Sequence, residues 1–125
     1  MNKAAFERLA AEALDSLPES FLRHMENVDV VIEQWPSADD MEDAGLAGED
    51  RRSLLGLYEG VPLVDRGTHY AGYLPDRIVL YQGSIEAAAG NDPDAIREEV
   101  RATVIHEVAH FFGISDDRLD ELGSY

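Results

Sequence analysis

The chain contains no cysteine, so neither a disulfide nor a thiol nucleophile enters its chemistry. Small secreted domains are usually stapled by disulfides, and their absence here leans towards a cytoplasmic protein. Basic residues are scarce: 10 Lys and Arg stand against 26 Asp and Glu, for a formal net charge of −16. That balance argues against a nucleic-acid partner, whose binding is driven by Lys and Arg meeting phosphate. It equally disfavours an anionic membrane. No apolar run approaches the roughly 20 residues that a membrane-crossing helix needs. The first residues carry Lys3, Glu7, Arg8 and Glu12 with no long apolar segment behind them, so no signal peptide is expected. No internal repeat is visible. With 125 residues and 45% hydrophobic content, the chain suffices for one domain over residues 1–125 and leaves no room for a second.

Local patterns then place the elements. Phe6, Leu9, Ala10, Ala13, Leu14 and Leu17 follow i, i+3, i+4, i+7 spacing, which predicts an amphipathic helix over residues 3–15. Ser16-x-x-Glu19, with Pro18 inside, matches a capping box for a short second helix with Phe21, Leu22 and Met25 inward. His24 on that helix reads as a surface residue. Val28 to Gln34 alternates as a strand, and Trp35-Pro36 ends it because proline has no N–H for a ladder. Residues 37–53 are acidic and glycine-spaced. They read as a solvated loop with room for one helical turn, the alternative being a lid over a site.

Leu54 to Tyr58 is a second strand, where Gly56 signals a bulge or a close backbone approach. Residues 62–71 read as extended or looped. Arg77 to Gln82 is a third strand, rich in β-formers. Ser84 to Ala89 fits a short helix that stops at Gly90-Asn91. Asp92-Pro93-Asp94 then supplies an N-cap, a first-position proline and an acidic first turn for a long helix. Residues 115–122 read as a final helical turn or two, with Leu119 and Leu122 inward.

That long helix carries His106-Glu107-Val108-Ala109-His110, followed by Phe111-Phe112-Gly113-Ile114-Ser115-Asp116. Residues four apart share a helix face, so His106 and His110 can offer imidazole nitrogens to one metal ion. Glu107 lies about 100° round the axis, where a carboxylate can reach a water without taking a metal position. Zinc suits this set, since its catalytic sites use three protein ligands plus water. Glu107 then serves as the general base that takes the water's proton and passes it to a leaving amine. Random order of these residues gives H-E-x-x-H somewhere with a probability of roughly one per cent. Val104, Ile105, Val108, Ala109, Phe111 and Phe112 fill an arc from about 140° to about 300° away from His106, which predicts a helix buried on most sides. Gly113 fits a helix C′ position, where a left-handed turn could swing Asp116 back as third ligand. Asp117, Asp120, Glu121 and His69 compete for that place, and Asp116 or Ser115 could instead cap the terminal helix.

The motif with Gly113-Ile114-Ser115-Asp116, together with Leu55-Gly56-Leu57-Tyr58-Glu59-Gly60 and Leu74-Pro75-Asp76-Arg77-Ile78, resembles the small bacterial zincin-like metallopeptidases. The resemblance covers most of the chain. It implies an α+β minimal zincin-like fold, with a short mixed sheet packed against helices that include the motif helix. It also implies metal-ligand roles for His106 and His110 and a catalytic role for Glu107. Metzincins carry a third histidine where this chain has Asp116, and a later methionine turn. Here the last methionine is Met41.

The expected activity is zinc-dependent hydrolysis of peptide bonds, with Glu107 catalytic and His106, His110 and Asp116 on the metal. A peptide or protein substrate would align as an added strand on a sheet edge, for which Arg77 to Gln82 is the candidate. Tyr70, Tyr73, Tyr81, His69 and Tyr125 are the candidates for an oxyanion stabiliser. The alternative is a non-catalytic metal-binding or regulatory peptide-binding module of the same fold. Glu107 opposes it, because a structural zinc needs no base and usually closes with four protein ligands.

Overall fold

The computed structural model describes residues 1–22, 28–60 and 76–111. Helix α1 (Lys3–Asp15) opens on Asn2, whose side-chain oxygen accepts the Ala5 N–H at 2.8 Å. It buries Phe6, Ala10 and Ala13, as its spacing predicts. The capping box expected at Ser16 is not the contact Ser16 makes. Its hydroxyl turns back and donates to the Ala13 carbonyl at 2.7 Å, closing α1 rather than opening α2 (Glu19–Leu22). α2 buries Phe21 but leaves Leu22 37% exposed, against the expectation that both point inward; Met25 and His24 lie outside the described residues.

A capping box does form one segment later. Ser37 Oγ accepts from Asp40 N–H at 3.0 Å, and Asp40 Oδ2 accepts from Ser37 N–H at 3.1 Å. This reciprocal pair satisfies two orphan helix donors. It starts α3 (Ala38–Asp43) inside a stretch that reads as loop from composition.

Among the described residues three strands form one sheet, in the order β1 (Val28–Glu33), β3 (Asp76–Tyr81), β2 (Gly56–Glu59). β3 runs parallel to β1, with Val30 opposite Ile78, and antiparallel to β2, with Tyr58 opposite Ile78. The strand expected to offer a free edge, Arg77 to Gln82, is therefore the central one. Its composition agrees: Ile78, Val79, Leu80 and Tyr81 are all buried, as befits a strand covered on both faces.

Side chains alternate along β3 and so divide the interior in two. Ile78 and Leu80 join Phe6, Val100, Val104 and Val108 in the main core, between the sheet and α1 and α5 (Pro93–Phe111). Val79 and Tyr81 face the other way, against Met41 and Leu54. α3 thus covers the sheet face remote from α5. Its position excludes residues 38–43 as a lid over the histidine motif.

β3 passes without a loop into α4 (Gln82–Ala89). Gly83 makes that possible: its N–H donates to the Gln34 carbonyl at 2.8 Å, and a Cβ there would stand 2.6 Å from the Trp35 ring. α4 ends at Gly90 with φ +85°, a backbone state that glycine adopts without strain. Asp92 Oδ1 then accepts the Asp94 N–H at 3.2 Å and opens α5, as its sequence predicts. The chain thus has the small α+β fold with a mixed sheet expected of a minimal zincin. Among the described residues no helix is long and apolar enough to cross a membrane.

Among the described residues one buried side-chain group lacks a well-formed hydrogen bond. The Tyr81 hydroxyl is sealed from solvent and meets no acceptor in good geometry, although the Asp40 carboxylate stands beside it. Burial pushes the phenol well above its ordinary range, and the Asp40 carboxylate, near enough to attract its O–H and negatively charged, pushes it the same way. Removing a poorly bonded polar atom while keeping the ring should be neutral or stabilising. Tyr81→Phe is therefore expected to raise the unfolding free energy, or leave it within about 1 kcal/mol. Chemical denaturation checks this. A loss above that range would mean that the hydroxyl has a partner in solution.

Candidate functional site

α5 brings His106, Glu107 and His110 to one end of its exposed side. Its opposite side is pinned by Val100, Val104, Ile105, Val108 and Ala109, all buried. That burial fixes the helix rotation and leaves the motif residues no choice of direction. The two imidazole rings are nearly parallel, 17° apart, with centroids separated by 6.4 Å. All three motif residues line an open pocket of about 300 Å³. Its other wall is the segment Ser53 to Gly56, and its far end holds Glu99, Ala102 and Thr103.

The pocket wall is anchored. Arg51–Ser53 forms a single 3₁₀ turn, whose Arg51 carbonyl accepts the Ser84 hydroxyl at 3.1 Å. The Leu55 carbonyl accepts the Tyr81 N–H at 2.9 Å. Gly56 brings the start of β2 against α5. A Cβ at this position would lie 2.7 Å from Thr103 Cγ2 and 3.2 Å from the Val79 carbonyl oxygen. The close backbone approach predicted at Gly56 is thus an approach to the motif helix.

Tyr58 joins strand to helix. Its backbone N–H donates to Glu107 Oε1 at 3.1 Å, across 49 residues of sequence. Its ring stacks on Phe111, with centroids 4.2 Å apart and planes 18° apart. Its hydroxyl donates to Asp76 Oδ2 at 2.9 Å. Nothing in the sequence pattern singles out Tyr58 for this. A backbone donor has no residue signature, and only its place beside Gly56 could have suggested it.

Glu107 is half-buried, and burial pushes its carboxyl above the ordinary range. The Tyr58 N–H opposes this, as do the charges of His110 and His106, in that order. Desolvation raises the carboxyl's affinity for a proton and the Tyr58 donor opposes it, a balance that proton exchange at this group would use. With Oε1 bound to the strand, Oε2 remains for that exchange.

The donor set fits a transition metal. Two imidazoles stand one helical turn apart on the pocket side, and imidazole nitrogen is a preferred zinc donor. Glu107 is tied to β2, so it does not compete as a ligand. No group of three metal-binding side chains forms among the described residues. Asp116, the expected third ligand, lies outside them, as do its competitors Asp117, Asp120, Glu121 and His69. Of the oxyanion candidates, Tyr70, Tyr73 and Tyr125 also lie outside. Tyr81 is described and faces the second core, against Met41 and Val79, so it cannot serve the pocket.

A small mixed sheet, a long helix presenting His-Glu-x-x-His and a strand held against that helix define a minimal metallopeptidase-like architecture. The chain belongs to the zincin-like metallopeptidase family, whose sequence pattern matches residues 25–124. It is also similar to the solved structure of a conserved hypothetical protein from T. thermophilus. The two are 30% identical over 90% of this chain and 94% of the other, with a TM-score of 0.55. No curated protein sequence matches the chain.

The Gly56 contact yields a direct test. Gly56→Ala places a methyl group between β2 and α5, and overpacking of this kind costs about 1–3 kcal/mol. A fall in thermal midpoint should accompany displaced amide resonances for both Tyr58 and Glu107. Unchanged stability and resonances would show that the strand and helix are not in close contact there.

Proposed function

We infer that the chain is a zinc-dependent peptidase. The observation that carries this reading is the half-buried Glu107 carboxylate, fixed by the Tyr58 N–H beside the paired imidazoles of His106 and His110 on an open pocket. His106 and His110 would hold the zinc, with Asp116 as third ligand on the strength of its spacing after Gly113. Zinc held there would supply a Lewis acid for a peptide carbonyl and make water acidic enough to ionise near neutral pH. Glu107 Oε2 would be the atom that accepts a proton from water and returns it to the leaving amine. Oε1 stays on the strand and keeps the carboxylate aimed. Partial burial of Glu107 strengthens the exchange, because the protonated form is stabilised while the proton is in transit.

Peptide alignment is better assigned to the β2 side of the sheet than to β3. The Tyr58 N–H points to Glu107, so the side of β2 away from β3 faces the motif helix. The Ser53 to Gly56 wall leads into that edge. A peptide laid along it brings a backbone amide past Glu107, and main-chain pairing of this kind is a common mode of peptide capture. Of the titratable groups that line the pocket, Glu107 stands beside both imidazoles without being one of the paired metal donors, which favours it for proton transfer.

Two measurements test the reading. With metal-loaded protein and a mixed peptide library, Glu107→Gln should retain one zinc per chain and lower turnover by about 10²- to 10⁴-fold. Equal cleavage by the variant and the wild type would remove Glu107 from catalysis. No cleavage by either protein, with zinc bound, would favour the alternative of a peptide-binding module.

The ligand assignment is tested separately by zinc titration. His106→Ala and His110→Ala should each abolish tight binding. Asp116→Ala should weaken it far more than Asp117→Ala or Asp120→Ala does. If Asp116→Ala only lowers folding stability, by about 1 kcal/mol, its role is that of a helix cap.

A further inference from the structure

We propose that the far end of the pocket is a subsite for a basic side chain of the peptide, Lys or Arg, with Glu99 as its counter-charge. The proposal rests on the peptidase reading and names the substrate class for it. Glu99 stands seven residues before His106 on α5. That spacing sets it only about 20° from His106 around the axis and about 10 Å along it. Glu99, Ala102, Thr103, His106 and His110 form a single stripe on the pocket.

The stripe has a defined chemistry. At one end lie the paired imidazoles and Glu107. In the middle the floor is low, because Ala102 and Gly56 carry little or no side chain. Leu54 and Leu55 make the facing wall apolar. At the other end is the Glu99 carboxylate, half-buried and in no ion pair or side-chain hydrogen bond among the described residues. Its backbone carbonyl is already used, accepting the Thr103 hydroxyl at 2.8 Å. Among the described residues no Lys or Arg lines the pocket.

A half-buried carboxylate without a counter-charge gains most from a cation delivered to it, and the walls say what can deliver one. A residue next to the scissile bond must span most of two helical turns to reach Glu99. Small side chains fall short and acidic ones are repelled. Lys and Arg carry a charge on a long aliphatic stem, and such stems lie favourably along apolar surface. The chain's charge of −16 adds a field that concentrates cationic peptides near the molecule. Glu99 acts through charge at a distance from the reacting atoms, so its effect falls on selectivity.

The test compares peptides that differ only in this side chain. Metal-loaded wild type, Glu99→Gln and Glu99→Lys are given a library in which one position carries Arg, Lys, norleucine or Glu. Wild type should favour Arg and Lys at one fixed position beside the cut. In Glu99→Gln the ratio of kcat/KM for Arg over norleucine should fall about tenfold, the scale expected for a desolvated charge pair. Glu99→Lys should invert the preference towards Glu. An unchanged ratio in both variants, with cleavage intact, would overturn the subsite and leave the peptidase reading standing.

If the wild type cleaves nothing, the peptidase reading fails, and binding judges the subsite alone. Nα-acetyl-arginine amide is titrated into the metal-loaded protein and followed by the amide resonances of Glu99, Ala102 and Thr103. Saturable binding that weakens about tenfold in Glu99→Gln supports the subsite. Equal binding in both proteins, or none in either, overturns it.

Discussion

One hydrogen bond joins the two halves of the site, the Tyr58 N–H to Glu107 Oε1 at 3.1 Å. It connects a four-residue strand to a helix residue 49 positions further along the chain, and its acceptor is the group proposed as the base. A bond to a charged acceptor contributes about 1.5–3 kcal/mol, enough to hold one rotamer of the carboxylate against thermal disorder. Its geometry requires β2 and α5 to touch. Gly56 permits the contact by having no Cβ, and the Tyr58–Phe111 stack holds it from the other end. The apolar side of α5 then sets the helix rotation, so the same packing that stabilises the fold aims the two histidines.

The electrostatics follow from this placement. Burial favours the neutral form of Glu107. One backbone donor and two neighbouring imidazoles oppose that without cancelling it. A carboxylate fully exposed on the same helix would be an anion at all working pH values and a weaker carrier. A donor on both oxygens would pin it as an anion. The arrangement uses a single N–H, on one oxygen, and leaves the other oxygen to exchange.

Much of this architecture is legible in the residues themselves. α1, β1, β3, α4 and α5 announce themselves through periodicity, proline, glycine and caps, all local signals. The misses share a cause. α3 buries only Met41, so a helix of acids and alanine has no apolar stripe to betray it, and its Ser37–Asp40 box departs from the commoner Ser-x-x-Glu form. Conversely, Ser16-x-x-Glu19 has the commoner form, but its serine bonds backwards. Strand order is not a local property at all. The apolar density of Ile78 to Tyr81 fits a central strand, which is the physical reason against reading it as an edge. Within the site, His106, Glu107 and His110 stand out because their chemistry and spacing coincide. Tyr58 donates to Glu107 through its backbone, which has no residue signature, although the residue sits in the Leu55 to Gly60 segment that carries the family resemblance. Glu99 shares the histidine stripe, but it is one of 26 acidic residues and only the pocket distinguishes it.

A chain of this size has little mass with which to build a cleft, and the structure meets that constraint by giving each element two tasks. β3 is at once the centre of the sheet and the partition between two cores. α4 seals the main core through Ile85 and anchors the pocket wall through Ser84. The wall itself is a 3₁₀ turn and two leucines, held by its own turn hydrogen bonds and by its ties to Ser84 and Tyr81. Rigid, shallow walls select poorly by shape, since a pocket of about 300 Å³ that opens to solvent can exclude few side chains. Charge remains as the economical discriminator. A single carboxylate placed along the stripe from the reacting groups can distinguish Arg from Glu without any further wall. The strongly acidic surface works in the same direction at long range.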